Sequence, residues 1–180
     1  MRDNGSPNRV HLPVHARTRF VLVRPHYPEN LGASARALKT MGFSRLIVVR
    51  PGRLCQPEHE MAFKMAVKAW DVLAAVETAP DLETALAGAR EIVATTGRSG
   101  VAGVETPRTL APALALAAEN AVETAILFGN EKTGLSEDEQ SRATRYLRIP
   151  MAASQPSINL AQAVQLVAYE LFVAALERRS

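Results

Sequence analysis

Cysteine is nearly absent from this chain. The single thiol, Cys55, excludes an internal disulfide framework and suits a reducing compartment. The four histidines are scattered, so together with one cysteine they form no cluster at metal-ligand spacing, and no metal is expected. No uninterrupted apolar stretch approaches the roughly 18–20 residues that cross a bilayer. The polar, basic N-terminus is not followed by the apolar segment of a secretory signal. A cytoplasmic location without a membrane partner is therefore expected. Two nucleotide-binding motifs are also missing. Gly129 and Gly134 bracket four residues, as in a phosphate loop, but Leu135-Ser136 follow where Lys and then Ser/Thr are required. No Gly-x-Gly-x-x-Gly occurs, and the glycines between Gly97 and Gly103 fit neither spacing. These absences count against ATPases and dinucleotide-dependent dehydrogenases.

The 180 residues are enough for one domain with a real core, and a composition of 47% hydrophobic and 22% charged residues is that of an ordinary globular chain. The net charge of +3 is unevenly placed. Residues 1–20 carry Arg2, Arg9, Arg17 and Arg19 against Asp3, and the rest of the chain balances. A basic arm on a neutral body can hold a polyanion such as RNA, or it can be a solvated tail. We read residues 1–18 as a flexible basic leader and 19–180 as one domain.

Short apolar, β-branched runs alternate with helical patterns. Buried strands are expected at Phe20–Val23, Leu46–Val49, Glu91–Thr96, Ala125–Phe128 and Tyr146–Ile149. Arg24–Leu31, with two prolines, reads as a loop. Helices are expected from Ala33 to Met41 with Gly42 as the stop, across residues 58–76 with Val67 and Trp70 in the core, and after an Asp81 cap. Others are expected around Ala111–Ala118, from Ser136 with a capping-box Glu139, and from Leu160 to Arg178. This is an α/β layout with a mostly parallel sheet flanked by helices. The last helix is apolar on more than half its circumference, which suits a homodimer seam or a plain core helix.

Three polar islands sit against these apolar runs: Asn30–Arg36, Phe128–Ser136, and Ile149–Met151 with Pro156–Leu160. Strand–loop–helix junctions are where open α/β sheets hold ligands. Main-chain groups at Thr96, Gly97, Gly129 and Ile149 could read an adenine edge without a charged anchor. Glu131 could pair a cationic or hydroxyl group, or brace a neighbouring loop. Asn30 could cap the helix that carries Arg36, and Arg36 could bind phosphate.

These islands resemble the SpoU (TrmH-type) branch of the SPOUT RNA methyltransferases, and within it the TrmJ-like tRNA enzymes. The likeness runs from about residue 19 to 178. Asn30, Gly32 and Arg36 match the first motif. Phe128-Gly129-Asn130-Glu131 with Gly134-Leu135-Ser136 match the second, and Ser157-Ile158-Asn159-Leu160 match the third. The resemblance implies a C-terminal trefoil knot, a rare exception to unthreaded connections. It implies S-adenosyl-L-methionine held by Thr95, Thr96, Gly97, Gly129, Glu131, Ile149, Pro156, Ser157, Ile158 and Leu160. It also implies a homodimer acting on RNA, tRNA first, by methylating a ribose 2′-hydroxyl of cytidine or uridine. Related enzymes often carry a C-terminal extension, and this chain stops at Ser180.

By the same resemblance, Arg36 is the central catalytic residue, with Asn30, Ser157 and Asn159 positioning the substrate or bracing the cofactor loop. A guanidinium is seldom a base, so the expected role of Arg36 is to hold phosphate and stabilise the developing alkoxide. Other readings stay open: a knotted RNA-binding protein without catalysis, a ribosomal RNA 2′-O-methyltransferase, or a small nucleotide-dependent oxidoreductase.

Overall fold

A computed structural model describes residues 10–98, 100–152 and 158–179. Seven strands form one sheet in the order β3-β2-β1-β6-β4-β7-β5, and every pairing is parallel. They are β1 (Thr18–Val23), β2 (Leu46–Val49), β3 (Glu77–Ala79), β4 (Glu91–Thr95), β5 (Val104–Glu105), β6 (Thr124–Phe128) and β7 (Arg145–Leu147). The helices are α1 (Pro13–Arg17), α2 (Pro28–Thr40), α3 (Glu60–Ala66), α4 (Trp70–Ala74), α5 (Leu82–Leu86), α6 (Pro107–Glu119), α7 (Glu137–Ser141) and α8 (Leu160–Glu177).

All six residues of β1 are buried, which explains why its sequence is continuously apolar rather than alternating. Phe20, Leu22, Val93, Ile126 and Phe128 face a large core with residues from α1 to α4, α6 and α8. Val21, Val23, Ala94, Ala125 and Leu127 face a smaller core closed by α5 and Leu135. The expected doubly covered α/β sheet is what forms. β3 and β5 were not visible in the sequence. They are strands of three and two residues at opposite edges of the sheet, too short and polar to show a period.

Residues 10–17 differ from the leader reading. Leu12 and Val14 are buried in the main core, and the His15 ring meets Phe43 edge-on at 5.0 Å. Two arginines of the basic arm are likewise tied to the body. Arg17 and Arg45 donate to opposite oxygens of Glu123 at 3.0 and 2.6 Å, and Arg19 lies 3.7 Å from the same carboxylate.

Helix α2 begins earlier than expected. Tyr27 is its extended N-cap residue and Pro28 is its first residue, where the missing N–H and fixed φ of proline suit a helix start. Asn30 is therefore inside the first turn and is not the cap. At Gly32 a Cβ would collide with the carbonyl oxygen of Ala62, so this glycine lets α2 and α3 pack backbone to backbone.

The 58–76 segment is two helices. Val67 and Lys68 adopt positive φ of 29° and 53°, and the chain turns between α3 and α4. Val67 and Trp70 are 42% and 48% exposed; Ala62, Ala66, Ala69, Val72 and Leu73 fill the buried side instead.

Helix α8 is long and apolar enough, by length and composition, to cross a membrane. Half of it is nevertheless buried in the protein, with Val164, Val167, Ala168 and Leu171 in the main core. The expected knot depends on the path from β7 to α8, which includes residues 153–157, outside the described residues.

Candidate functional site

The C-terminal ends of the adjacent strands β6, β4 and β7, together with the start of α2, the loop after β6 and the start of α8, surround a cavity of about 590 Å³. Its position at strand ends is the usual place for a ligand in such a sheet, and its volume suits a small-molecule cofactor.

The three islands meet here through side chains. Asn159 Nδ2 donates to Asn30 Oδ1 at 2.9 Å, and Asn30 Nδ2 donates to Glu131 Oε1 at 2.9 Å. Asn159 Oδ1 accepts from the backbone N–H groups of Ala161 and Gln162, capping α8. Glu131 also accepts from the N–H groups of His26 and Tyr27, at 2.9 and 3.2 Å. Its carboxylate thus holds the turn that starts α2, which favours the bracing reading of Glu131 over a free ligand anchor. It still lines the cavity.

The loop after β6 is built around Asn130. Its side-chain oxygen accepts from the N–H groups of Lys132 and Thr133, and its amide donates to the Arg24 carbonyl at 2.7 Å. The loop then folds back so closely that a Cβ on Gly129 would collide with the backbone of Gly134 and Leu135. Arg24, itself at φ 53°, clamps the far side of the loop. Its Nε and Nη2 donate to the two Glu139 oxygens, both at 2.8 Å, and Nη2 also donates to the Gly134 carbonyl. Glu139 closes the expected capping box with Ser136. Burial pushes the Glu139 carboxyl up, but Arg24 and the Ser136 N–H outweigh it and hold the group below its ordinary value.

At the end of β4, Thr95 Oγ1 donates to the Leu127 carbonyl, and the Thr96 N–H donates to the Leu147 carbonyl, both at 2.8 Å. Thr96 Oγ1 accepts from the Arg98 N–H. These groups shape the loop, so the Thr96 N–H is already committed and cannot read a ligand edge. Gly97, Gly129, Ile149, Ile158 and Leu160 line the cavity together with Thr95 and Thr96. Pro156 and Ser157 lie outside the described residues.

Arg36 is not brought to the cavity. It lies on the exposed side of α2 and is not among the cavity-lining residues, and its guanidinium has no ion pair among the described residues. Because α2 starts at Pro28, Asn30 and Arg36 share one helix. Six residues along a helix put them about 120° apart in rotation, so they cannot share a face.

Lys132 and Met151 of the polar islands also line the cavity, as do Tyr27, Arg98, Gln140 and Leu147, which sequence reasoning did not place at the site. Tyr27 could have been found from its place just before a helix-starting proline. Cys55 is buried and meets the Tyr27 carbonyl at 3.6 Å. Burial, with Glu131 and Glu29 nearby, pushes its thiol up to about 12, so it is not a nucleophile at neutral pH.

S-adenosyl-L-methionine, the group the motifs imply, fits these residues. The lining includes the apolar side chains of Leu147, Ile149, Met151, Ile158 and Leu160 together with Gly97 and Gly129, a composition that suits a flat apolar-faced base. Asn30, Asn159, Arg98 and Lys132, also in the lining, supply polar and cationic groups for a zwitterionic tail.

The family model described as the SpoU rRNA Methylase family matches residues 17–169. A tRNA (cytidine/uridine-2′-O-)-methyltransferase TrmJ from Pectobacterium atrosepticum is 38% identical over 162 residues, which are 89% of this chain. The chain spans only 66% of that relative's length. The crystal structure of a probable methyltransferase from Bordetella pertussis superposes with a TM-score of 0.85 at 33% identity, covering 90% of this chain and 98% of the other. The AdoMet-bound rRNA methyltransferase from Sinorhizobium meliloti superposes with a TM-score of 0.70 at 27% identity, covering 92% of this chain and 59% of the other. With most of its length matched by the family model, the same parallel sheet and the three motifs joined at one cavity, the chain belongs to the SpoU rRNA methylase family.

Proposed function

We propose that this protein transfers a methyl group from S-adenosyl-L-methionine to a ribose 2′-hydroxyl of RNA, with a pyrimidine nucleotide of tRNA as the substrate. The observation that carries this reading is the Asn159–Asn30–Glu131 hydrogen-bond chain, which joins all three motifs at the edge of one cofactor-sized cavity. The substrate follows the name of the Pectobacterium relative, and the cofactor follows the fit of the cavity and the bound state of the Sinorhizobium structure.

Among the described residues, the cofactor would be held by Thr95, Thr96, Gly97, Gly129, Ile149, Ile158 and Leu160. When bound, it supplies a methyl group on a sulfonium, an electrophile that a ribose oxygen can attack. The protein's own groups then act by positioning and electrostatics. Glu131 and Asn30 fix the start of α2, and through it the helix that presents Arg36. Arg36, exposed and without an ion pair among the described residues, would grip the phosphate beside the target ribose and so orient the strand for attack. The proton leaves to that phosphate or to water, because a guanidinium does not accept it.

A homodimer completes the reading. Leu166, Tyr169 and Leu176 of α8 are 39–48% exposed along one side of the helix, and α8 packs beside α2. A second copy covering this side would lie against the helix that packs beside α2, which carries Arg36. The protein would act in the cytoplasm.

Calorimetric titration distinguishes the rival cofactors. The expected result is saturable binding of S-adenosyl-L-methionine and no binding of NAD(P). Preference for NAD(P) would refute the proposal.

A further inference from the structure

We propose that Phe63 and Trp70 form a stacking platform for an unpaired base of the RNA, with Lys64 and Lys68 as flanking phosphate contacts. This rests on the RNA reading above and adds a binding site outside the cofactor cavity.

The two rings stack with centroids 5.2 Å apart and planes only 7° from parallel. They are 54% and 48% exposed, and Trp70 Nε1 donates to the Phe63 carbonyl at 3.3 Å. Neither ring belongs to the buried core clusters. The pair exists because the chain breaks between α3 and α4. Val67 and Lys68 hold left-handed φ values that are costly for a β-branched residue and a lysine. Lys39 of α2 secures the break by donating from Nζ to the Lys68 carbonyl at 2.8 Å, while also pairing with Asp71. A simple continuation of the helix would have avoided the strain and separated the rings.

Chemistry and location favour RNA as the occupant. An exposed aromatic stack is a sequence-tolerant surface for a nucleobase, and nearby cations track the backbone. Lys64 and Lys68 are exposed, with no ion pair among the described residues. Arg36, on the neighbouring helix, likewise has no ion pair among the described residues. The platform also lies close to the site: Ala62, next to Phe63, presses its carbonyl against Gly32, two residues beyond Asn30. On the same helix Lys39, three residues beyond Arg36, meets Lys68 and Asp71, so the break that carries the aromatic pair is held against the helix that carries Arg36.

Trp70 is the only tryptophan in the chain, so its emission reports on this surface directly. Bulk tRNA and a short oligouridylate would be titrated into the full-length protein. Trp70 emission would be followed together with the anisotropy of a labelled strand. The expected result is quenching that follows the binding curve. Phe63→Ala and Trp70→Ala would then weaken binding about 5- to 100-fold, while Trp70→Phe would retain most of it. All three variants should keep S-adenosyl-L-methionine affinity and a cooperative melt, with at most a modest fall in melting temperature from the lost stack, because the rings lie outside the core and the cavity. RNA binding with unchanged emission and wild-type affinity in both alanine variants would overturn the platform and leave the RNA reading standing. Absence of RNA binding would overturn both. Emission that changes with protein concentration alone, in step with dimer formation by sedimentation, would assign this face to a second copy and overturn the platform.

Discussion

Asn159 and Asn30, 129 positions apart in sequence, meet side chain to side chain at 2.9 Å. Asn159 uses its oxygen to cap α8 and its amide to orient Asn30, and Asn30 passes the contact on to Glu131. The start of one helix is thereby locked to the start of another at the cavity's edge.

Breaking this chain should be costly. Asn30 is 8% exposed, and Asn30→Ala leaves the Asn159 amide without its partner. A loss of about 1–3 kcal/mol is expected in chemical denaturation, with weaker cofactor binding by calorimetry. Asn159→Ala should cost about 1 kcal/mol from the lost cap, plus the broken contact.

Gly129→Ala should act on the cavity. Its Cβ would strike the Gly134–Leu135 backbone, so the loop after β6 must move. Cofactor affinity should fall roughly tenfold or more, which is at least about 1.4 kcal/mol. Gly32→Ala makes an informative contrast. It would force α3 away from α2 and lower the melting temperature, through overpacking of about 1–3 kcal/mol.

The Arg24–Glu139 clamp predicts an acid limb. The Glu139 carboxyl is held below its ordinary value in the folded protein. Its contribution is therefore complete above the unfolded value of about 4.3 and is lost as pH falls through the lower folded value. Glu139→Gln should be less stable at pH 7 and should show a shallower loss between neutral and acid pH than wild type. Urea midpoints across that range would test this, and parallel curves would contradict it.

Cys55 should resist alkylation in the native protein at pH 8, because it is fully buried and its thiol is pushed up to about 12. It should react at once in denaturant. Rapid native labelling would show that the 50–59 segment opens from Tyr27.

The strands carrying the core were legible because a parallel sheet covered on both faces leaves runs such as Phe20–Val23 and Leu46–Val49 uniformly apolar. Caps with local chemistry, Asp81 and Ser136–Glu139, were legible for the same reason: donor and acceptor lie within one turn. What depended on distant partners was not. Trp70 and Val67 looked like core residues because they are larger than the alanines buried beside them, and the burial of Ala62 depends on Gly32 of another helix. Glu131 could not be told from a ligand anchor until the His26 and Tyr27 N–H groups were seen to occupy it. The separation of Arg36 from the cavity followed from where α2 starts, which Pro28 decides.

The most direct test is methyl transfer from labelled S-adenosyl-L-methionine to bulk tRNA, with ribosomal RNA alongside and nucleoside analysis of the product, using wild type and Arg36→Ala. The account predicts a 2′-O-methylated pyrimidine nucleoside from tRNA with wild type. Arg36→Ala should give no product yet bind the cofactor normally, because Arg36 does not line the cavity. Label on a base instead of the ribose, or no label from a protein that binds both cofactor and RNA, would contradict it.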